Sequence, residues 1–263
     1  IRDSPILSEL RMVKNDIEVT QIQKACDITE MGFRRVLDFI KPGVWEYEIE
    51  AEYSHEFLNN RSKGFAYQPI IASGINSCCL HYNTNNMQCK DGEMVLMDVG
   101  SEYANYRSDM TRTVPINGKF SKRQLQIYNA VLKVKNEANK ILRPGTSIHE
   151  YHKEIAKIME CELLDIKLID KTDIKNQSPK NPAYKRYFMH GTSHHLGLDV
   201  HDVGNFYEDV KAGNVFTIEP GIYIKEEKIG VRLEDVILVG NNNNINLMEK
   251  IPIQPEEIED IMN

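Results

Sequence analysis

The chain repeats itself at long range. Lys41-Pro42-Gly43 closes one helical pattern and opens onto another, and Arg143-Pro144-Gly145 does the same 102 residues later. Gly92 is followed six residues on by Asp98, at the end of the apolar run Met94-Val95-Leu96-Met97. After a further 121 residues, Gly213 precedes Glu219 at the same spacing, behind Val215-Phe216-Thr217-Ile218. The two offsets differ by 19 residues, about the length of 165–183, a stretch of Lys, Asp, Asn and Pro with little periodicity that reads as a surface insertion. Self-similarity of this kind determines architecture before any single motif does. Asp109 has a near-counterpart in Glu234, and His81 in His201. The expected fold is α+β: two α/β halves, each presenting two carboxylates and one imidazole, facing one another across a pseudo-twofold site.

Local signals fill in the halves. Asn15 or Asp16 can cap a helix whose apolar positions Ile22, Ala25, Cys26, Phe33, Val36, Leu37 and Ile40 recur at helical spacing, and a second helix follows from about Glu46 to Asn60. The region 65–86 reads as short strands and loops. The period-two run from Ser108 to Val114 puts Asp109, Thr111 and Thr113 on one face of a strand. Ser121 and Gln124 form a capping box for a long helix ending at Arg143-Pro144-Gly145, another helix runs from about Ile148 to Glu162, and a short one begins at Pro255. Almost nothing precedes the first helix.

Net charge is −7, with 39 acidic against 32 basic residues, so no nucleic-acid-binding footprint is indicated. No apolar run approaches the ~20 residues that span a bilayer. The five cysteines include no CxxC pair and read as reduced, mostly inert thiols of a cytoplasmic protein. With 263 residues and no low-complexity break, the chain reads as one catalytic domain over 1–263.

Four acids at the ends or on one face of apolar strands, Asp98, Asp109, Glu219 and Glu234, require an explanation, because carboxylates are rarely buried without partners. Singly, each would be a salt-bridged or rim residue. Together they are better balanced by divalent metal, and the stretch Met189–Gly204 adds four of the eight histidines: His190, His194, His195 and His201. Carboxylate oxygens with one imidazole suit Mn²⁺, Co²⁺, Fe²⁺ or Zn²⁺, and five ligands suit two ions sharing carboxylates and a water that is hydroxide near neutral pH. The implied reaction is metal-assisted hydrolysis.

Five blocks of residues, Met97–Gly100, Ser108–Thr113, Met189–Asp202, Thr217–Gly221 and Val231–Asp235, resemble the catalytic domain of the Xaa-Pro aminopeptidases (aminopeptidase P) over nearly the whole chain. The resemblance implies the pita-bread fold shared with prolidase and methionine aminopeptidase, and hydrolysis of the bond between an N-terminal residue and proline by a metal-bridging hydroxide. It implies that Asp98 chelates one ion, Asp109 and Glu234 bridge two, and His194 and Glu219 hold the other, with manganese the expected metal. His201 is expected to stabilise the tetrahedral intermediate, and His81 and His190 to line the substrate pocket and aid proton transfer. Arg232 is expected to orient the bridging carboxylates and Tyr223 to contact substrate. His195 points away from His194, while His55, His149 and His152 are expected at the surface. Ser193 leans toward aminopeptidase P over prolidase, and the complete ligand set argues against a non-catalytic binding module. The expected partners are peptides with proline second and a homo-oligomeric copy, with no nucleic acid or membrane. Relatives carry an N-terminal domain that appears absent here, so the chain is expected to be a fragment of a longer protein.

Overall fold

The computed structural model describes residues 4–204 and 208–263, with side chains from residue 6 onward. The first half contains α1 (Ser4–Met12), α2 (Asp16–Phe39), α3 (Glu46–Asn59), β1 (Ile70–Ser73), β2 (Met94–Val99), β3 (Glu102–Tyr103), β4 (Tyr106–Arg107) and β5 (Met110–Pro115). The second contains α4 (Lys122–Ile141), α5 (Ile148–Asp165), α6 (Lys171–Asn176), β6 (Val215–Ile218), β7 (Gly221–Ile224), β8 (Ile229–Arg232), β9 (Asp235–Leu238) and β10 (Ile245–Asn246), and α7 (Pro255–Met262) closes the chain.

The repeat is visible hydrogen bond by hydrogen bond. β2 pairs antiparallel with β5 and, across a hairpin of the same kind, β6 pairs antiparallel with β9. The β3–β4 and β7–β8 ribbons occupy corresponding places between them. Gly43 N–H donates to Cys89 and Cys89 N–H to Val44; in the second half Gly145 N–H donates to Val210 and Val210 N–H to Thr146. Gly43 and Gly145 end their helical segments at φ of +97° and +84°, a region that β-carbon-bearing residues avoid, which is why both stops carry glycine.

Asn15 caps α2 through its side chain, accepting from Ile17 and Glu18 N–H, while Glu18 returns a bond to Asn15 N–H. Ser121 and Gln124 do the same for α4. The buried stripes of these helices join both sheets in one core containing Phe33, Val95, Val114, Val131, Phe216 and Val236.

One sequence expectation changes. A helix, α1, precedes α2, with Ile6, Leu7 and Leu10 exposed; it is held through Arg11 to Asp199 and Asp202, through the buried Met12, and by Asn214 donating to the Met12 carbonyl. The 165–183 stretch lies mostly at the surface and contains α6. All six residues of β5 are buried. One face, Thr111 and Thr113, bonds to Glu234 and to the Arg232 carbonyl of the second half, while the other carries Arg112 to Asp235.

Arg112, Lys135 and Asp235 are all buried. The Arg112 guanidinium donates to Asp235 at 2.6 Å and to the Glu234 carbonyl at 2.6 Å, and Lys135 from α4 binds the other carboxylate oxygen. Burial works against the Asp235 charge, but Arg112 and then Lys135 override it and hold the carboxyl far below its usual range. Among the described residues no helix is long and apolar enough to cross a membrane.

Removing Asp235 leaves two cations buried without their partner, so Asp235→Ala is expected to cost about 3–5 kcal/mol in chemical denaturation. A loss under about 1 kcal/mol would mean the network is not what joins the halves. The contribution of Asp235 is present above the unfolded carboxyl's pKa of ~3.9 and disappears only as pH falls through its depressed folded value.

Candidate metal centre

The two sheets meet so that their strand ends open on one cleft of about 440 Å³, lined by Asp98, Asp109, His190, His194, Glu219 and Glu234, with Leu80, His81 and His201 also on its walls. Asp98 is delivered within β2, Asp109 immediately before β5, Glu219 just after β6 and Glu234 just before β9. Glu234 therefore begins a strand, as Asp109 does, and the pseudo-twofold relation extends to the acids themselves.

His194 comes from an extended segment running beside β6. Leu196 N–H donates to the Val215 carbonyl, Thr217 N–H to that of His194 and Glu219 N–H to that of Thr192. Alternation along this ladder turns His194 toward the acids, its Nε2 3.4 Å from Asp109 and 3.6 Å from Glu219. His195, the next residue, is 2% exposed and lies against Phe216 with ring centroids 4.1 Å apart.

Asp109, His194 and Glu234 form the tight group: one ligand atom from each lies within 4.8 Å of the others. Asp98 and Glu219 flank it. Tyr67 Oη lies 2.5 Å from both an Asp98 and an Asp109 oxygen, and a phenol has a single proton to offer, so it serves one carboxylate at a time. Thr111 donates to Glu234 at 2.7 Å.

Burial raises Asp98 despite Arg232, and burial, then Asp109 and Glu219, raise Glu234 well above the carboxylate range. Burial lifts Glu219 to about 7 against the pull of His194 and Arg232. His194 is opposed by burial, yet Asp109 and Glu219 raise it to about 9. These side chains are acidic, crowded and short of cations. Oxygen donors with one imidazole, converging within ligand distance and under-compensated in charge, fit hard to borderline divalent ions.

A directed chain stands behind His190. Arg232 donates to the Tyr223 hydroxyl at 3.0 Å, that hydroxyl lies 2.8 Å from His190 Nε2, and His190 Nδ1 faces the Gly191 carbonyl at 2.7 Å. A carbonyl only accepts, so Nδ1 carries the proton and Nε2 receives the phenol's. Burial, then Arg232, hold His190 neutral, at about 3.

Tyr223, 2% exposed, directs its hydroxyl at His190 and Arg232, one step behind the cleft wall. Arg232 touches Asp98 directly, not the carboxylates expected to bridge; it reaches Glu234 only through Thr111, to which its Nε donates at 3.0 Å. His81 and His201 stand exposed at the cleft mouth, His201 edge-on to His194 with centroids 4.4 Å apart. His55 and His149 are exposed as expected, but His152 is not a surface residue: it sits half-buried beneath the histidine segment and accepts from Thr192 N–H at 3.3 Å. Tyr67 escaped sequence reasoning because a lone tyrosine in an irregular loop carries no periodic signal.

The chain belongs to metallopeptidase family M24, whose model matches residues 20–241, and its fold is the pita-bread α+β fold of that family. Among individual proteins it is 39% identical to Escherichia coli Xaa-Pro aminopeptidase over 270 residues, covering 98% of this chain and 61% of that protein. It is 35% identical to human Xaa-Pro aminopeptidase 3, covering 97% of this chain and 52% of that one. Zn-substituted E. coli aminopeptidase P in complex with product superposes with a TM-score of 0.93 at 38% identity, covering 100% of this chain and 62% of that one. Proline aminopeptidase P II from Yersinia pestis gives 0.90 at 35% identity, covering 99% and 62%. The chain thus spans about three fifths of the length of its bacterial relatives.

Because Glu219 keeps its proton to about pH 7 when folded but to only ~4.3 when unfolded, metal-free protein is expected to lose stability as pH rises between those values. Glu219→Gln, always neutral, should flatten that part of the profile. Thermal midpoints of chelator-treated protein from pH 4.5 to 8 check this, and parallel profiles for the two proteins would contradict it.

Proposed function

We propose that this chain is the catalytic domain of a dinuclear metal-dependent exopeptidase that hydrolyses the bond between an N-terminal residue and a following proline. The observation that carries the reading is the convergence of Asp98, Asp109, His194, Glu219 and Glu234, drawn from both halves, on one cleft. The names of its relatives, aminopeptidase P and Xaa-Pro aminopeptidase, supply the substrate class.

In this reading Asp98, Asp109, His194, Glu219 and Glu234 would hold two divalent ions, with manganese the first choice. The ions would supply Lewis acidity, polarising the scissile carbonyl and making hydroxide available near neutral pH. The chain's own residues do the rest. Arg232 and Tyr67 fix Asp98, and Thr111 fixes Glu234, so the donor oxygens are preorganised. His201, exposed beside His194, donates to the oxyanion that develops on the carbonyl. His190, kept neutral and oriented by Tyr223, forms a fixed wall against the substrate, and His81, exposed at the cleft mouth, bonds the peptide.

Two experiments decide. Metal content is measured together with release of the first residue from an Xaa-Pro-Xaa tripeptide and from an Xaa-Pro dipeptide. Tripeptide cleavage with bound Mn²⁺ is expected; cleavage of the dipeptide alone would make the protein a prolidase, and neither metal nor hydrolysis would refute the enzyme reading. Glu219→Ala should abolish turnover with the fold intact, and near-normal activity would refute the ligand set. Because His194 and Glu219 hold protons near pH 7 in the metal-free cleft, Mn²⁺ binding should release protons and tighten as pH rises. Calorimetry in buffers of different ionisation enthalpy reads that number, and zero release would exclude these two groups.

A further inference from the structure

Away from the acidic cleft, one more carboxylate is withdrawn from water. Glu46, the first residue of α3, is 0% exposed, and among the described residues no lysine, arginine or histidine pairs with it. Its charge is met by hydrogen-bond donors alone. Oε1 accepts from Ser73 N–H at 2.7 Å, Ser73 Oγ at 2.7 Å and Asn76 Nδ2 at 3.3 Å; Oε2 accepts from Tyr82 Oη at 2.7 Å and Met87 N–H at 2.9 Å. A carboxylate so satisfied is a rigid junction, since each donor bond to an ionised acceptor is short and directional.

The donors are distributed in a telling way. Ser73 ends β1 and Met87 lies fourteen residues later, so the two oxygens grip the two ends of one loop, and Tyr82 adds a grip next to its apex. That apex is Leu80-His81, which lines the cleft. A second tie, Gly230 N–H to Ser77 Oγ at 2.8 Å, locks the turn Gly74–Cys78 to β8. A third, Asn85 accepting from Ile71 N–H at 2.9 Å and donating to the Pro69 carbonyl at 3.0 Å, anchors the returning arm to β1; Tyr82, next to the apex, is held by Glu46.

We propose that Glu46 is the positioning residue of the substrate cleft's His81 lip, holding 73–87 in the one shape that presents His81 to the peptide. The proposal rests on the exopeptidase reading for its consequence but not for its physical content. Glutamine keeps the volume of Glu46 while turning one accepting oxygen into a donor that faces Met87 N–H, which can only donate, and that forces the Tyr82 hydroxyl to turn and accept, so Glu46→Gln should loosen the Tyr82 and Met87 end of the loop.

Hydrogen exchange on Mn²⁺-loaded protein is the direct test. Amides across 79–87 should lose protection at least tenfold in Glu46→Gln, with β2 and β6 unchanged; unchanged exchange in the loop would overturn the proposal whatever the enzyme does. Kinetics on an Xaa-Pro-Xaa tripeptide supplies the second readout. Glu46→Gln should lower kcat/KM about 10- to 100-fold at unaltered metal content. In a His81→Ala background the same change should cost less than about twofold, because its effect runs through His81. Independent, multiplying losses would overturn the positioning role. If Glu46→Gln does not fold, Tyr82→Phe removes a single donor and must show the same local exchange and the same dependence on His81. An inactive parent protein would sink the exopeptidase reading, and the exchange result would still judge Glu46.

Discussion

Four carboxylates held out of water within one cleft repel one another, and the rest of the molecule is arranged to keep them there. Among the described residues Arg232 is the only guanidinium paired with any of these carboxylates, and it touches Asp98. Asp109, Glu219 and Glu234 face His194, Tyr67 and Thr111 instead. Left to themselves such groups would swing into solvent or take up protons, and the upward displacement of Asp98, Glu219 and Glu234 records that tendency. What prevents relaxation is the backbone. Each acid is fixed at a strand end, and the strands are fixed by pairing within a sheet and by Glu234 N–H donating to the Thr111 carbonyl between sheets. A scaffold that over-determines unfavourable neighbours suits a site whose compensating charge arrives from outside.

The twofold relation between the halves explains both the convergence and its asymmetry. Strands, ribbons, glycine stops and acids correspond, but the ties behind the cleft lips differ in kind. In the first half the His81 loop is held by Glu46 through neutral donors. In the second, Asp202 beside His201 is held by Lys14 and Arg11, both reaching from the N-terminal segment. The repeated framework supplies rigidity, and the departures from it supply two unlike walls for an asymmetric ligand.

The framework was legible from the sequence because repetition and capping are local statements. Pro-Gly stops, Gly-to-acid spacings, the Asn15 and Ser121 caps and the apolar runs before Asp98 and Glu219 each act within a few residues, and all appear where the pattern put them. So does the division of labour between His194 and His195, since alternation on an extended segment is also local. What remained hidden depends on contacts far apart in the chain. Tyr67 gains meaning only when Asp98 and Asp109 meet above it, His152 only when α5 slides beneath Thr192, and Lys135 only when α4 packs on β9. The helix α1 shows no apolar stripe to announce it, because only its last residue, Met12, enters the core and Arg11 holds it through ion pairs. Arg232 was located but its target was not, since a side chain as long as arginine can select among several acids that spacing leaves equivalent.

The split of the five acidic and imidazole groups between halves has a consequence for the chain as it is synthesised. Asp98 and Asp109 emerge early, but the set is completed only at Glu234, 125 residues after Asp109. Neither half can assemble the cluster alone, so a nascent or partly folded polypeptide carries scattered acids and no centre. The cluster is complete only once the strands of the second sheet close beside those of the first, so the centre is a product of the whole fold and of neither half.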